Sequence, residues 1–140
     1  MSEISTQKIL DGITLALHEQ WPESHIYCDE VEQGLVPGDF NVILITSSQR
    51  QLVGGRYRRI PLFDVLYYPK KGREECYEIA DALSLLLNLI SLPEGDLLRG
   101  TGIDFEVVDG VLHFYVRYNH VIYRGEKGEI METLEINQGG

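Results

Sequence analysis

Ile103-Asp104-Phe105-Glu106-Val107-Val108-Asp109-Gly110-Val111-Leu112-His113-Phe114-Tyr115-Val116 reads as an antiparallel β-hairpin, and its second strand could continue to Arg124. Apolar residues alternate on both sides of Asp109-Gly110. With those two residues as the loop, Val107 faces Leu112, Phe105 faces Phe114 and Ile103 faces Val116, so all six share one face. Asp-Gly suits a type I′ turn, which needs φ > 0 at both central positions. The side-chain period of two then sets the register. The stretch specifies architecture strongly and carries no chemistry.

Outward from the hairpin, the chain supplies two helices and further strands. Residues 4–20 place Ile9, Leu10, Ile13, Ala16 and Leu17 at helical spacing, and Trp21-Pro22 ends that run. Residues 74–90 carry a second apolar stripe of Cys76, Ile79, Ala80, Leu83, Leu86, Leu87 and Ile90, followed by Pro93. Ile26 to Val31 reads as a short strand, and Gly34 to Asp39 as a turn. Phe40 to Thr46 is a β-branched apolar run that suits a central strand. Ser47 to Arg56 is polar, contains Gly54-Gly55, and reads as a loop or flexible hairpin tip. Tyr57 to Tyr68 is a strand in which Pro61 argues for an edge or a bulge. Leu97 to Thr101 would be a short strand leading into the hairpin.

The expected fold is α+β: a mixed or antiparallel sheet of about 4–6 strands with two helices packed on it, in one domain over residues 1–124. Residues 125–140 form an acidic tail ending in Gly-Gly. Glu126, Glu129, Glu132 and Glu135 recur there, while Ile130, Met131 and Leu134 would line one face of a short helix. That tail is either disordered or an arm that orders on a partner.

Composition narrows the function classes. The 140 residues are 44% hydrophobic, which suits one core. No apolar run approaches the ~20 residues that span a bilayer, and the N-terminus lacks the basic and apolar regions of a secretory signal. Cys28 and Cys76 fit a reduced, cytosolic history, both as small buried hydrophobes.

The net charge of −10 is unevenly spread. Residues 1–49 hold eight acids against Lys8, and residues 74–140 hold thirteen acids against four bases. Residues 50–73 reverse the sign, with seven bases against Asp64. Most of such a surface repels phosphate, which makes the chain a poor general nucleic-acid binder. The same asymmetry suits self-assembly, a basic patch on one subunit meeting an acidic patch on the next.

No catalytic constellation stands out. His113 and His120, seven apart on one expected strand, would point to opposite faces and form no metal pair. Ser47-Ser48 lacks a nucleophile elbow, and Gly100-Thr101-Gly102 precedes a strand, not the helix N-terminus that a phosphate loop needs. No C-x-x-C, H-E-x-x-H or P-loop occurs, so no cofactor or metal is expected. Asp64 lies inside an apolar strand. It is either a charge on a solvent or edge face or half of a salt bridge to an arginine, including one from a neighbouring subunit. The arginine-rich stretch Arg50 to Arg59 with Tyr57 is either a solvated hairpin tip, a protein interface or, less favoured, a DNA contact. Several of the 8 tyrosines fall on expected strands, Tyr115 on the hairpin face opposite Phe114, where a half-wet surface or an interface is expected.

Val31-Glu32-Gln33-Gly34-Leu35, Ser47-Ser48-Gln49-Arg50-Gln51, Arg56-Tyr57, Phe63-Asp64-Val65 with Tyr68-Pro69, and Gly110 to Asn119 resemble the phage tail terminator family of Firmicutes phages, prophages and phage-tail-like particles. The resemblance runs from about residue 8 to 124 and leaves the acidic tail outside. It implies a structural protein, not an enzyme, in the virion tail and, during assembly, the host cytoplasm. Such a protein forms a hexameric ring with copies of itself, caps the tail tube or sheath, stops its polymerisation and offers a joining surface to a head–tail connector or neck protein. Neither a membrane nor sequence-specific nucleic acid is an expected partner. Gln49, Arg50, Gln51, Arg56, Tyr57, Arg58, Arg59 and Asp64 are the expected interface residues, all but Asp64 within a Ser47–Arg59 loop expected to project from the sheet. Another connector or neck ring is the alternative reading, and a small-ligand-binding protein or hydrolase a weaker one.

Overall fold

The computed structural model of the chain describes residues 3–29 and 35–124. The motif Val31 to Gly34, the end of the first expected strand and the acidic tail lie outside the described residues. In chain order the elements are α1 (Thr6–Gln20), β1 (Ile26–Cys28), β2 (Phe40–Gln51), β3 (Arg56–Tyr67), α2 (Arg73–Leu86), β4 (Leu89–Ser91), β5 (Leu97–Arg99), β6 (Gly102–Val108), β7 (Val111–Arg117) and β8 (His120–Tyr123).

The fold is α+β, one domain. Six strands form a mixed sheet in the order β1-β2-β3-β7-β6, and β8 pairs with β3 beyond the end of β7. β1 runs parallel to β2, and the other pairings are antiparallel. β4 and β5 make a separate two-stranded sheet.

The hairpin register is the expected one, with Val107 opposite Leu112, Phe105 opposite Phe114 and Ile103 opposite Val116. Asp109 and Gly110 have φ of 52° and 79°, as the type I′ turn requires. β6 is an outer strand, so the shared face is buried unevenly: Phe114 is fully buried while Phe105 stays 43% exposed.

One face of the sheet holds the core. Phe40, Val42, Phe63, Val65, Tyr67, Leu112, Phe114 and Val116 project from it against Ile9, Ile13, Leu17, Cys76, Ala80 and Leu83 of the helices. Burying each large side chain of this kind contributes about 1.5–3 kcal/mol. Ser5 caps α1 by accepting from the Lys8 amide at 3.2 Å. Gly12 brings α1 against β4: a Cβ there would lie 2.9 Å from the Ser91 carbonyl oxygen. No helix is long and apolar enough among the described residues to cross a membrane.

Several local expectations are corrected. The second helix stops at Leu86, not Ile90, because the next residues are drawn into other pairings. The Leu87 carbonyl accepts from the buried Tyr118 hydroxyl at 2.6 Å and the Asn88 carbonyl from the Gly100 amide at 2.8 Å, so Ile90 reaches the core from a strand. The second hairpin strand breaks at Tyr118-Asn119 into β7 and β8 and ends at Tyr123. His113 and His120 therefore sit on two strands. Cys76 is buried as expected, but Cys28 is exposed, because it ends a three-residue outer strand. Pro61 lies in a central strand, where its missing N–H is tolerated beside a bulge: β2 inserts an extra residue between Leu44 and Thr46.

Ser47 to Arg56 is not a loop. β2 continues to Gln51 and β3 begins at Arg56, leaving Leu52 to Gly55 as the tip. Ser47 to Gln51, polar residues that form a weak strand by propensity, are held by five cross-strand register pairs with β3 and by β8 on the far side of β3.

Candidate assembly surface

The distal halves of β2 and β3, with β8 alongside, form an arm beyond the helix-covered part of the sheet. Gln49 pairs with Arg59, Arg50 with Arg58 and Gln51 with Tyr57. β8 sets Tyr123 against Arg56, Ile122 against Tyr57, Val121 against Arg58 and His120 against Arg59. Strand alternation divides these rows between two sides. Tyr57, Arg59, Ile122 and His120 share the side continuous with the core, where Ile122 and His120 are buried. Arg50, Arg56 and Arg58 share the other side with Val121 and Tyr123, which are 43% and 56% exposed.

Some arm residues hold the arm itself. Arg59 Nε donates to Gln49 Oε1 at 2.9 Å, and Arg56 Nε to the Val53 carbonyl at 3.0 Å. The Arg124 amide closes onto the Gly55 carbonyl at 2.9 Å. His120 Nδ1 donates to the Tyr118 carbonyl at 2.9 Å, and burial pushes its pKa down. By contrast, Arg50 and Arg58 face each other directly, and among the described residues no carboxylate pairs with either. Like charges directly opposite on a sheet are destabilising.

Asp64 is placed elsewhere. Of the eight expected interface residues, seven fall on the arm, while Asp64 lies five residues, or about 16 Å of strand, nearer the middle of the sheet. It projects to the face that neither α1 nor α2 covers and is only 4% exposed. His113 Nδ1 donates to Asp64 Oδ2 at 2.8 Å, so within the chain its side-chain partner is a histidine. Burial raises the Asp64 pKa and the nearby Glu106 adds to this, against the opposing hydrogen bond and charge of His113. Asp64 Oδ1 and Asn41 Oδ1, both on this face, are buried without a partner.

Around Asp64 the helix-free face is ordered in cross-strand rows. Ile43, Asp64, Tyr115 and Asp104 make one, and Asn41, Leu66, His113 and Glu106 the next. Tyr115 stacks on His113 with ring centroids 6.2 Å apart, and its hydroxyl donates to Glu106 Oε2 at 2.9 Å. Burial, then Glu106, push its pKa up to about 12. This is the polar second face expected for Tyr115, whereas Tyr67 and Tyr118 belong to the core.

A family model for phage tail terminator proteins matches residues 8–130. The chain belongs to the phage tail terminator family. The match extends six residues past the expected limit at Arg124. No curated protein matches the chain. A solved structure 16% identical in sequence covers 89% of this chain and 100% of its own, with a TM-score of 0.48, a likeness too loose to bear on fold or function. Membership assigns this tail terminator to a structural family associated with other phage tail components in the virion tail.

A cleft beside the sheet is lined by residues that include Trp21, Glu23, His25, Asp39, Tyr67 and Lys70. Asp39 has a structural part there. Asp39 Oδ2 accepts from the Val36 amide at 3.2 Å and Oδ1 from the His25 amide at 3.4 Å, which ties β1 to the approach of β2. Tyr67 donates to Glu75 Oε2, and burial followed by this bond raises its pKa. Gly100-Thr101-Gly102 is a structural junction, with the Thr101 hydroxyl donating to the Arg117 carbonyl at 3.1 Å.

Proposed function

We propose that this tail terminator acts by forming a ring of six copies that seats on the last ring of the tail tube or sheath, halts its polymerisation and presents the surface that meets a head–tail connector or neck protein. It acts as a structural protein and not as an enzyme, assembling in the host cytoplasm. The family match over most of the chain carries this reading. The arm supports it: a cyclic ring needs two different patches per subunit, and a projecting strand pair whose Arg50 and Arg58 meet no carboxylate among the described residues is suited to be one of them. Gln49, Arg50, Gln51, Arg56, Tyr57, Arg58 and Arg59 dock on a neighbouring subunit, the tube or the sheath.

The test is negative-stain microscopy of the purified protein with its cognate tail tubes, beside the protein alone. A six-fold ring at one end of each tube is the expected result. Rings that ignore tubes and bind portal or neck complexes would reassign the protein to a connector. Arg56→Glu with Arg58→Glu should abolish capping, and intact rings and capping in that variant would remove the arm from the interface.

A further inference from the structure

We infer that the arm's seat is the helix-free face of the next copy's sheet, its arginines lying over the acidic patch of Asp64, Asp104 and Glu106. This rests on the ring reading above and names the surface that the arm meets.

Two acceptors on that face lack donors. Asn41 and Asp64 are 5% and 4% exposed, and Oδ1 of each is buried without a hydrogen-bond partner. A shielded carboxylate and an unpaired acceptor favour positive charge laid over them, and a guanidinium offers five donors and no acceptor. His113 satisfies only Oδ2 of Asp64. Ile43 and Leu66, half-buried beside these groups, give the stem of an arginine an apolar surface to lie on.

Charge complementarity selects the occupant. The face carries Asp64, Asp104 and Glu106, while the arm side bearing Arg50, Arg56 and Arg58 has no acid among the described residues. The arm cannot serve its own face. Arg58 lies six residues from Asp64 along one extended strand, roughly 20 Å away, and the strand leads away from it. A second copy removes that constraint, and its arm also delivers Val121 and Tyr123. The outer surface of α2 is acidic too, with Glu74, Glu78 and Asp81, but these are exposed and solvated, with no orphaned acceptor among them.

The test exchanges charge between two versions of the full chain. One carries Arg50→Glu and Arg58→Glu on the arm. The other carries Asp104→Arg and Glu106→Arg on the face. All four positions are exposed, so circular dichroism and thermal melts should show both versions folded. Each alone should form no ring on cognate tail tubes, in negative stain or by sedimentation. Mixed in equal amounts they should form rings again, because alternating copies place an acidic arm on a basic face and a basic arm on an acidic face at every contact.

Wild-type chains that never form a ring on tubes would overturn the ring reading and the seat with it. Wild-type rings together with no recovery on mixing would overturn the seat alone. So would rings lost with Glu74→Arg and Glu78→Arg but kept with the face reversals, which would move the seat to α2. Face reversals that leave rings intact but prevent capping would give the face to the tail tube.

Discussion

His113 Nδ1 donates to Asp64 Oδ2 at 2.8 Å between residues set diagonally across β3 and β7, since Asp64 pairs with Tyr115 and His113 with Leu66. The bond joins residues 49 apart in sequence and supplies the carboxylate with its only side-chain partner among the described residues. His113→Leu would remove the side-chain hydrogen bond of a buried carboxylate. The expected loss is about 1–3 kcal/mol, the cost of an unsatisfied buried polar group, measured by urea unfolding at pH 7. A variant as stable as the wild type would show that the pair is not holding the sheet.

The raised Asp64 pKa gives a second prediction. Its ionised form is less favourable in the folded than in the unfolded protein, so the destabilisation is absent below the ordinary value of 3.8 and complete above the folded value. Asp64→Asn keeps an acceptor for His113 and removes the charge. The isolated protomer should become more stable at pH 7 and show no gain near pH 3.5. A gain independent of pH would assign the effect to packing.

Glu75 works in the opposite sense. Desolvation raises its pKa, but the Tyr67 hydroxyl and the Lys71 and Lys70 amides, 2.7 and 2.8 Å from Oε1, outweigh this and leave it lowered. A lowered carboxylate contributes stability above its unfolded value of 4.5 that is lost as the pH falls through the folded value. The side chain fastens the end of β3 to the first turn of α2. Denaturation midpoints of wild type and Glu75→Gln should therefore differ most at neutral pH and converge in acid. Parallel curves throughout would remove Glu75 from the acid response.

The register of the β6–β7 hairpin was legible because two independent signals, the period of two and Asp109-Gly110, agree. The arm was only half legible. Its projection follows from a polar, glycine-bearing interruption between two strands, but Ser47 to Gln51 carry weak strand propensity and are extended only through pairing with β3, itself backed by β8. The end of α2 was hidden because Leu86, Leu87 and Ile90 continue a helical pattern. What stops the helix is the Tyr118 hydroxyl on the Leu87 carbonyl, 31 residues away in sequence. The Asp64–His113 pair left a faint trace: each is a charged or titratable residue in an otherwise apolar strand, and only strand order reveals that they meet.

Gly12 sets two effects against each other. Helix propensity favours alanine over glycine by about 1 kcal/mol in a helix interior. The added Cβ would lie 2.9 Å from the Ser91 carbonyl oxygen and 3.2 Å from the Leu92 side chain. A backbone oxygen cannot rotate away, so α1 or β4 must shift, and overpacking of this kind costs typically ~1–3 kcal/mol. The clash should win, with Gly12→Ala melting at a lower temperature than the wild type. A higher melting temperature would mean that α1 can lift from β4 at no cost.

Arg50 opposite Arg58 separates protomer stability from assembly. The pair is unfavourable within one chain, while the basic side of the arm is what the ring reading requires. Arg50→Glu turns a like-charge pair into an opposite-charge one, and cross-strand pairs of that kind contribute about 0.2–1 kcal/mol. The isolated variant should match or slightly exceed the wild type in urea, with the difference shrinking as salt is raised. Its capping of tail tubes should fall. Greater protomer stability with weaker capping is the signature of arginines retained for a partner. A variant that loses stability, or one that caps tubes undiminished, would mean that the two arginines serve the fold and not the assembly.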